Sequence, residues 1–102
     1  MKTWPAAKTH CVSMGSLLTT IHLREENDFV RTLISSNAWL GGNDIISDGA
    51  WVWDDGVEWG GFTSWDSGEP NGGDHEQCLI MRLTGKWNDD PCSKENVYVC
   101  KK

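Results

Sequence analysis

The sequence lacks two features that would point to large classes of partner. No run of apolar residues approaches the roughly 20 that a membrane-spanning helix requires. Basic residues are also scarce, since 9 Lys and Arg stand against 15 Asp and Glu and give a formal net charge of −6. We therefore expect neither membrane insertion nor binding to nucleic acid or to an anionic membrane surface. The charge is compatible with cation binding, although ordinary solubility alone would account for it.

Motifs for catalysis and for redox chemistry are missing as well. The chain contains no nucleophile elbow, no H-E-x-x-H sequence and no phosphate-binding loop. An apolar segment of the kind found in signal peptides does not follow Met1, so we expect a mature or trimmed domain. Because 102 residues contain no repeat, linker or low-complexity segment, residues 1–102 are expected to form a single domain.

The four cysteines lie at positions 11, 78, 92 and 100. None has the C-x-x-C spacing, which argues against a zinc ribbon or a thioredoxin-type pair. Four cysteines allow three pairings, of which we favour Cys11–Cys100, joining the two ends of the domain, and Cys78–Cys92. Each bond would contribute roughly 3–5 kcal/mol in the chain-entropy model. Disulfide bonds predict an extracellular compartment.

Two stretches have helical periodicity. The first begins at Thr3, a suitable N-cap, and ends at Gly15. Its predicted buried face contains Trp4, Ala7, Cys11 and Met14. A second helix is predicted to begin at Glu25 and Glu26, where acidic residues favour the helix dipole, and to end at residues 35–37. Its predicted apolar face contains Phe29, Val30, Leu33 and Ile34.

The rest of the chain has the patterns of short strands and turns. Strands are predicted at residues 17–21, 38–41, 49–53, 78–83 and 97–100, with turns at 42–44, 54–56 and 84–85. Residues 57–77 have little periodicity, and a loop of this length in a compact domain is normally functional or disordered. Two helices followed by short antiparallel strands predict the α+β class.

Seven tryptophans are unusual in a chain of this length. Most are expected in the core, where large aromatic side chains contribute most to packing. The predicted core members are Trp39, Trp51, Trp53 and Trp87. Trp65, on the long loop, is expected to pack beneath the oxygen-rich stretch described next.

Oxygen-bearing side chains are concentrated in this loop and in the strands that follow it. Seven lie between residues 69 and 90: Glu69, Asn71, Asp74, Glu76, Asn88, Asp89 and Asp90. Carboxylates and amide carbonyls without a neighbouring His or Cys pair are the ligands of a hard cation, and calcium suits them best. A single acidic loop residue is usually only solvated, so this prediction depends on their joint placement.

Four elements occur here in a family's order: Trp39-Leu40-Gly41, Glu69-Pro70-Asn71, Trp87-Asn88-Asp89 and the four cysteines. In them the chain resembles the C-type lectin domain over nearly its whole length. The resemblance implies the family's double-loop α+β fold, the disulfide pairing favoured above and a long calcium-binding loop. It also implies Ca²⁺ as cofactor, glycans or glycoproteins as partners, and a secreted protein or an ectodomain. Because a single sugar is expected to bind weakly, association into homo-oligomers would raise the avidity.

Carried over to this chain, the resemblance implies one calcium ion and one sugar bound by the same five residues: Glu69, Asn71, Glu76, Asn88 and Asp89. In the family, a cis peptide bond precedes the proline at the position of Pro70 and aims the flanking side chains at one ion. Only X–Pro bonds adopt cis at a modest cost, roughly 0.5–1 kcal/mol. The Glu-Pro-Asn triplet is similar to that of domains that prefer mannose, fucose or N-acetylglucosamine, whereas Gln-Pro-Asp would point to galactose.

A second, structural calcium site is implied at Asp44 and Asp48, with Glu76 shared between the two sites. Gln77 and Gly72 stand where the family commonly has oxygen ligands, so this second site is expected to be weak.

The start of the chain also departs from the family pattern. The strand that usually precedes the first helix is absent or trimmed, which would expose a sheet edge near residues 97–100.

Two other classes of function compete with a sugar-binding domain. Glu69, Glu76 and Asp89 could be read as glycosidase carboxylates, which work in pairs as an acid and a base or nucleophile. Their coordination role argues against an enzyme. A lectin-like domain that binds a protein, ice or a mineral surface is the main alternative, together with galactose-type binding despite the triplet. Such domains often lose calcium ligands, and this chain retains all five.

Overall fold

The computed structural model describes residues 1–70 and 76–101. Within these residues it contains two helices, α1 (Trp4–Ser13) and α2 (Arg24–Leu33). The strands of the same part of the chain are β1 (Leu17–Leu18), β2 (Ala38–Asn43), β3 (Val52–Trp53), β4 (Cys78–Met81), β5 (Trp87–Asp90), β6 (Val97–Tyr98) and β7 (Cys100–Lys101). The predicted α+β class is confirmed. Neither helix, each of ten residues, is long and apolar enough to cross a membrane.

The strands form two sheets. The larger has the order β3-β2-β4-β5, and β6 lies beside β2; the smaller pairs β1 with β7. All pairings are antiparallel except that of β6 with β2, which is parallel. The single terminal strand predicted at residues 97–100 is therefore wrong. Val97 and Tyr98 pair with the large sheet, whereas Cys100 and Lys101 pair with the small one.

The first helix begins and ends as the sequence predicts. The Thr3 hydroxyl accepts a hydrogen bond from the Ala6 N–H at 3.4 Å, and Trp4, Ala7 and Cys11 are buried. Met14 was predicted on the buried face, but it is 49% exposed. It lies at the C-cap, beyond the last helical residue, where the backbone no longer follows the helical period.

Of the apolar face predicted for the second helix, Val30 and Ile34 pack against the core, whereas Phe29 and Leu33 do not. Val30 is buried, but Phe29 and Leu33 are 64% and 54% exposed. The polar residue Asn27 is 5% exposed and shares the inward face with Val30. Its two hydrogen bonds to the β4–β5 hairpin, described below, fix the rotation of the helix and leave Phe29 and Leu33 outside.

The large sheet separates two hydrophobic clusters. One contains Ile21, Val30, Leu40, Trp51, Trp53, Leu79, Met81 and Trp87. The other contains Trp4, Ala7, Cys11, Leu18, Trp39, Cys78 and Ile80. Neighbours such as Trp39 and Leu40 fall in different clusters because alternate residues of a strand face opposite sides. The four tryptophans predicted in the core are all buried.

Both disulfide bonds are present in the pairing that we favoured. Cys11–Cys100 joins residues 89 positions apart, and Cys78–Cys92 joins residues 14 positions apart. Before α1, Lys2 forms an isolated antiparallel bridge with Asn96.

The turn predicted at residues 42–44 is wrong, because β2 continues to Asn43. Gly42 and Asn43 pair with Trp53 and Val52 of β3. A Cβ atom on Gly42 would lie 2.8 Å from Leu79 Cδ2, so a residue without a side chain is needed there.

Candidate functional site

The long loop is fixed to β5 next to the oxygen-rich stretch. The Trp87 N–H donates to the Ser64 carbonyl at 2.8 Å, and the Asp66 N–H donates to the Trp87 carbonyl at 2.8 Å. A turn then follows in which the Glu69 N–H donates to the Asp66 carbonyl at 3.0 Å. The Glu69–Pro70 peptide bond after this turn is cis. The backbone of the loop thereby sets the position of Glu69 relative to β5.

Trp65 supports this arrangement from inside. Its ring centroid lies 5.0 Å from that of Trp51 and 6.0 Å from that of Trp87. The residue is half-buried and packs against the main cluster, between the core and the loop that contains Glu69.

The Glu69 carboxyl group interacts with Asp89. Burial, followed by a hydrogen bond and charge repulsion from Asp89, raises the pKa of Glu69 to about 7. Glu76 adds to this shift and Arg82 opposes it. Glu69 Oε1 is buried and has no hydrogen-bond partner within the described part of the chain. Ionising this carboxyl group therefore costs free energy that a nearby cation would offset.

Glu76 lies in the same negative field. Burial, then repulsion from Asp89 and Asp90, raises the pKa of Glu76, while Lys94 opposes the shift. Asp89, which is 2% exposed, is thus a common neighbour of Glu69 and Glu76.

Asn88 is buried and held by an arginine that the sequence analysis missed. Its Oδ1 accepts a hydrogen bond from Arg82 Nε at 2.8 Å, and its Nδ2 donates to the Asp89 carbonyl at 3.0 Å. Arg82 Nη1 in turn donates to Asp66 Oδ2 at 3.0 Å. The register pairs Ile80 with Asn88, so the alternation of strand residues could have placed Arg82 on the face of Asn88.

Four of the five predicted ligands lie within the described residues. Glu69 and Asp89 interact directly, Asn88 precedes Asp89 on β5, and Glu76 senses the charge of Asp89. The fifth, Asn71, lies outside the described residues. Across residues 1–70 and 76–101, no three His, Cys, Asp or Glu side chains form a preassembled metal cluster.

The predicted second site lies beside the first. Asp44 is 3% exposed, and its Oδ2 accepts a hydrogen bond from the Gly49 N–H at 2.8 Å. Its Oδ1 is buried without a hydrogen-bond partner among the described residues. Burial raises the pKa of Asp44, and the charges of Asp48 and Asp89 add to this shift. The exposed Asp48 is therefore close to Asp44, as the second site requires.

The donor set suits a hard divalent cation. Two buried carboxylate oxygens of this donor set, on Glu69 and Asp44, have no hydrogen-bond partner in the described residues. Carboxylate oxygens with raised pKa values, beside an amide carbonyl, form the environment that calcium stabilises. The residues present therefore fit the ion that the resemblance implies.

The family model described as "Lectin C-type domain" matches residues 1–102. Ladderlectin of Oncorhynchus mykiss is 36% identical over 99 residues, which cover 89% of this chain and 52% of that protein. Lectin BRA-3 of Megabalanus rosa is 38% identical over 104 residues, covering 96% of this chain and 64% of that lectin. The chain thus spans only part of the length of these relatives.

Solved structures of the same fold include proteins of different function. The carbohydrate-recognition domain of mouse scavenger receptor C-type lectin has a TM-score of 0.93 at 28% identity, over 99% of this chain and 82% of that one. The cow CD23 domain, crystallised in the presence of a GlcNAc2Man3 oligosaccharide, has a TM-score of 0.89 at 34% identity. The match covers 97% of this chain and 78% of that one. A calcium-independent type II antifreeze protein has a TM-score of 0.92 at 30% identity, and the match covers 97% of this chain and 77% of that one.

These comparisons confirm the double-loop α+β fold. They also confirm the prediction of a non-enzymatic domain, since the lectins, receptors and antifreeze proteins of this family are not enzymes. The family model covers the whole chain, and the relatives agree with it. The chain belongs to the Lectin C-type domain family.

Proposed function

We propose that this chain is a calcium-dependent carbohydrate-binding domain that prefers mannose, fucose or N-acetylglucosamine. The observation that carries the proposal is the Glu69 carboxyl group, which interacts with Asp89 and whose buried Oε1 has no hydrogen-bond partner among the described residues. A buried carboxylate oxygen without a partner costs free energy, and a bound cation would offset that cost.

Five residues would hold the ion: Glu69, Asn71, Glu76, Asn88 and Asp89. When bound, calcium would supply a centre that coordinates two adjacent sugar hydroxyls. The side chains would complete the recognition by hydrogen-bonding to the same hydroxyls. Asn88 Nδ2 donates one hydrogen to the Asp89 carbonyl, so its second hydrogen is left for a sugar oxygen. Arg82 holds the Asn88 amide in this orientation.

The mannose-type preference comes from the Glu69-Pro70-Asn71 triplet. It is supported by the CD23 domain, which is 34% identical to this chain and whose structure was determined with GlcNAc2Man3. The carboxylate of the triplet would accept a hydrogen bond from one sugar hydroxyl, and the amide would donate one to another. This pattern of donor and acceptor would select the sugar.

A glycan array read with calcium and again with excess chelator tests this proposal. We expect mannose-type glycans to bind only with calcium, and the double variant Glu69→Gln, Asn71→Asp to shift towards galactose. Binding that persists in the chelator would exclude calcium as the bridge. Unchanged selectivity in the double variant would show that the triplet does not choose the sugar.

The proposal includes a weak second calcium site at Asp44, Asp48 and Glu76, supported by the buried Oδ1 of Asp44, which has no hydrogen-bond partner among the described residues. It also includes an extracellular location, because two disulfide bonds persist best in an oxidising compartment. Glycans or glycoproteins would be the partners, and association into homo-oligomers would raise the avidity of a small contact.

Binding to ice is the second candidate function. It is favoured by the calcium-independent type II antifreeze protein, which has a TM-score of 0.92 with this chain. Thermal hysteresis distinguishes the two. Hysteresis without calcium-dependent sugar binding would select the ice-binding function, and the reverse result would reject it.

A further inference from the structure

The basic residues are distributed unevenly. Lys102 lies outside the described residues, which leaves eight of the nine Lys and Arg. Four of these eight form ion pairs with carboxylates: Lys8, Arg82, Lys94 and Lys101. Three of the other four line a single groove: Arg24, Arg31 and Lys86. Cations without ion-pair partners within the described chain thus gather at one place on an acidic protein.

This groove, of about 320 Å³, lies between α2 and the turn that joins β4 to β5. On the helix side, four residues spaced at one helical face line it: Arg24, Asn27, Asp28 and Arg31. Residues 62–64 and 84–86 line the opposite side. We name it the basic groove.

Asn27 and Ser64 fix the base of the basic groove. Asn27 Nδ2 donates to the Gly85 carbonyl at 3.0 Å, and Asn27 Oδ1 accepts from Trp87 Nε1 at 2.7 Å. The Ser64 hydroxyl donates to the same Gly85 carbonyl at 3.1 Å. Helix, loop and hairpin are therefore connected directly below the cations.

Two contacts with the β4–β5 turn hold the Arg31 side chain in place. A Cβ atom on Gly85, which has φ +86°, would lie 2.9 Å from Arg31 Cδ, so the stem of Arg31 lies against this glycine. Arg31 Nε donates to the Leu83 carbonyl at 3.3 Å. The terminal guanidinium N–H groups have no partner among the described residues. A positioned guanidinium loses less entropy on binding an oxyanion than a free one.

The charges of the basic groove favour an anion. Three cations face one carboxylate, Asp28, which is exposed and has no ion pair within the described chain. The hydroxyls of Thr63 and Thr84 add hydrogen-bond donors at the rim. A net positive groove attracts an oxyanion, whereas the net charge of −6 on the whole chain disfavours a long polyanion such as nucleic acid.

We propose that the basic groove binds the sulfate group of a sulfated saccharide. Arginine recognises oxyanions with several parallel N–H donors, and Arg24 and Arg31 line the groove from one face of α2, about two turns apart. Phe62, half-buried at the rim with its centroid 5.9 Å from that of Trp87, offers an aromatic surface to a pyranose ring. The ligand class rests on the proposed carbohydrate function, but the groove requires no calcium.

An NMR titration of the intact ¹⁵N-labelled chain tests the proposal. The probes are N-acetylglucosamine 6-sulfate, N-acetylglucosamine and inorganic sulfate, each with calcium and with chelator. We expect the sulfated sugar to shift the amides of residues 62–64 and 84–86 under both conditions. We also expect it to bind several-fold more tightly than inorganic sulfate. Equal affinity for the two would mean that only a free anion binds, and would overturn the proposal.

Substitutions distinguish binding in the basic groove from nonspecific attraction between opposite charges. Arg24→Gln with Arg31→Gln should weaken binding of the sulfated sugar roughly tenfold or more. The control, Lys2→Gln with Lys8→Gln, removes the same charge elsewhere and should change the affinity less than about twofold. Lys86→Gln, a single exposed change, should also weaken binding. Equal losses in the first pair and the control would overturn the proposal.

The two proposed functions fail separately. Shifts confined to Asn88, Asp89 and their neighbours, and seen only with calcium, would support the calcium-dependent function and reject the basic groove. Shifts at residues 62–64 and 84–86 without any calcium-dependent sugar binding would support the basic groove and reject the calcium-dependent function.

Discussion

At the residue scale, Asp89 sets the electrostatics of the proposed calcium site. It is nearly fully buried, and its charge raises the pKa values of Glu69, Glu76 and Asp44. A carboxyl group whose pKa is raised in the folded state contributes stability that is lost as the pH rises through that pKa. The calcium-free protein should thus lose stability as the pH rises from about 4.5, the ordinary pKa of a glutamate carboxyl group, to about 7, the pKa of Glu69. A cation bound there would offset this loss.

The raised pKa of Glu69 predicts that calcium binding depends on pH. A proton on Glu69 must leave before the carboxylate can bind the ion. With a pKa of about 7, protons compete increasingly as the pH falls below neutrality. We expect the calcium affinity measured by calorimetry to fall roughly tenfold from pH 8 to pH 6. An affinity that stays constant over this range would contradict the assigned role of Glu69.

At the element scale, α2 depends on a polar residue at its inward face. Asn27 satisfies the buried indole N–H of Trp87 and the carbonyl of Gly85, so it connects the helix to the β4–β5 hairpin. The same hairpin leads directly into Asn88 and Asp89. The helix therefore contributes to the position of the site without contacting it.

Replacing Asn27 with alanine should destabilise the fold markedly. The change would leave the buried indole N–H of Trp87 unsatisfied and remove one of the two side-chain hydrogen bonds to the Gly85 carbonyl. We expect a cost of about 2–4 kcal/mol in the free energy of unfolding. Asp28→Ala, an exposed change on the adjacent residue, is the control and should shift that free energy by no more than about 0.5 kcal/mol. Urea unfolding followed by tryptophan fluorescence measures both. Equal effects would show that the Asn27 bonds contribute little.

The elements also show which features a single sequence can predict. The N-cap at Thr3 and the repeated apolar residues predicted α1 because these signals are local. Phe29 and Leu33 were wrongly predicted on the buried face of α2 because Asn27 finds partners 58 and 60 residues away, which no local pattern encodes. Arg82 is close to Asn88 in sequence and was missed for another reason, because their contact depends on the register of the β4–β5 hairpin.

At the scale of the whole molecule, two covalent bonds hold the fold together. Cys11–Cys100 connects α1 to β7, and Cys78–Cys92 lies beside the proposed calcium site, at the start of β4. Their loops differ in length, 89 against 14 residues of separation, so their effects on the unfolded chain differ. The chain-entropy model gives about 4.6 kcal/mol for the longer loop and about 3 kcal/mol for the shorter.

Paired serine variants test this difference. Cys11→Ser with Cys100→Ser should lower the free energy of unfolding by about 1.6 kcal/mol more than Cys78→Ser with Cys92→Ser. We expect the second pair to have the larger effect on calcium affinity, because Cys78 and Cys92 flank β4 and β5. Denaturant unfolding and calcium calorimetry measure the two effects. The reverse order of stability would show that loop length does not determine these contributions.

We propose above that this domain binds sugar through calcium held by Glu69 and its neighbours. Calorimetry of a mannose-terminated oligosaccharide tests it most directly, on the unmodified chain, Glu69→Gln and Glu58→Gln, with calcium and with excess chelator. Glu58 is an exposed acid of the same loop and serves as the control. We predict binding by the unmodified chain and Glu58→Gln with calcium, and none in the chelator or by Glu69→Gln. Binding that survives the chelator, or equal binding by both variants, would contradict the account.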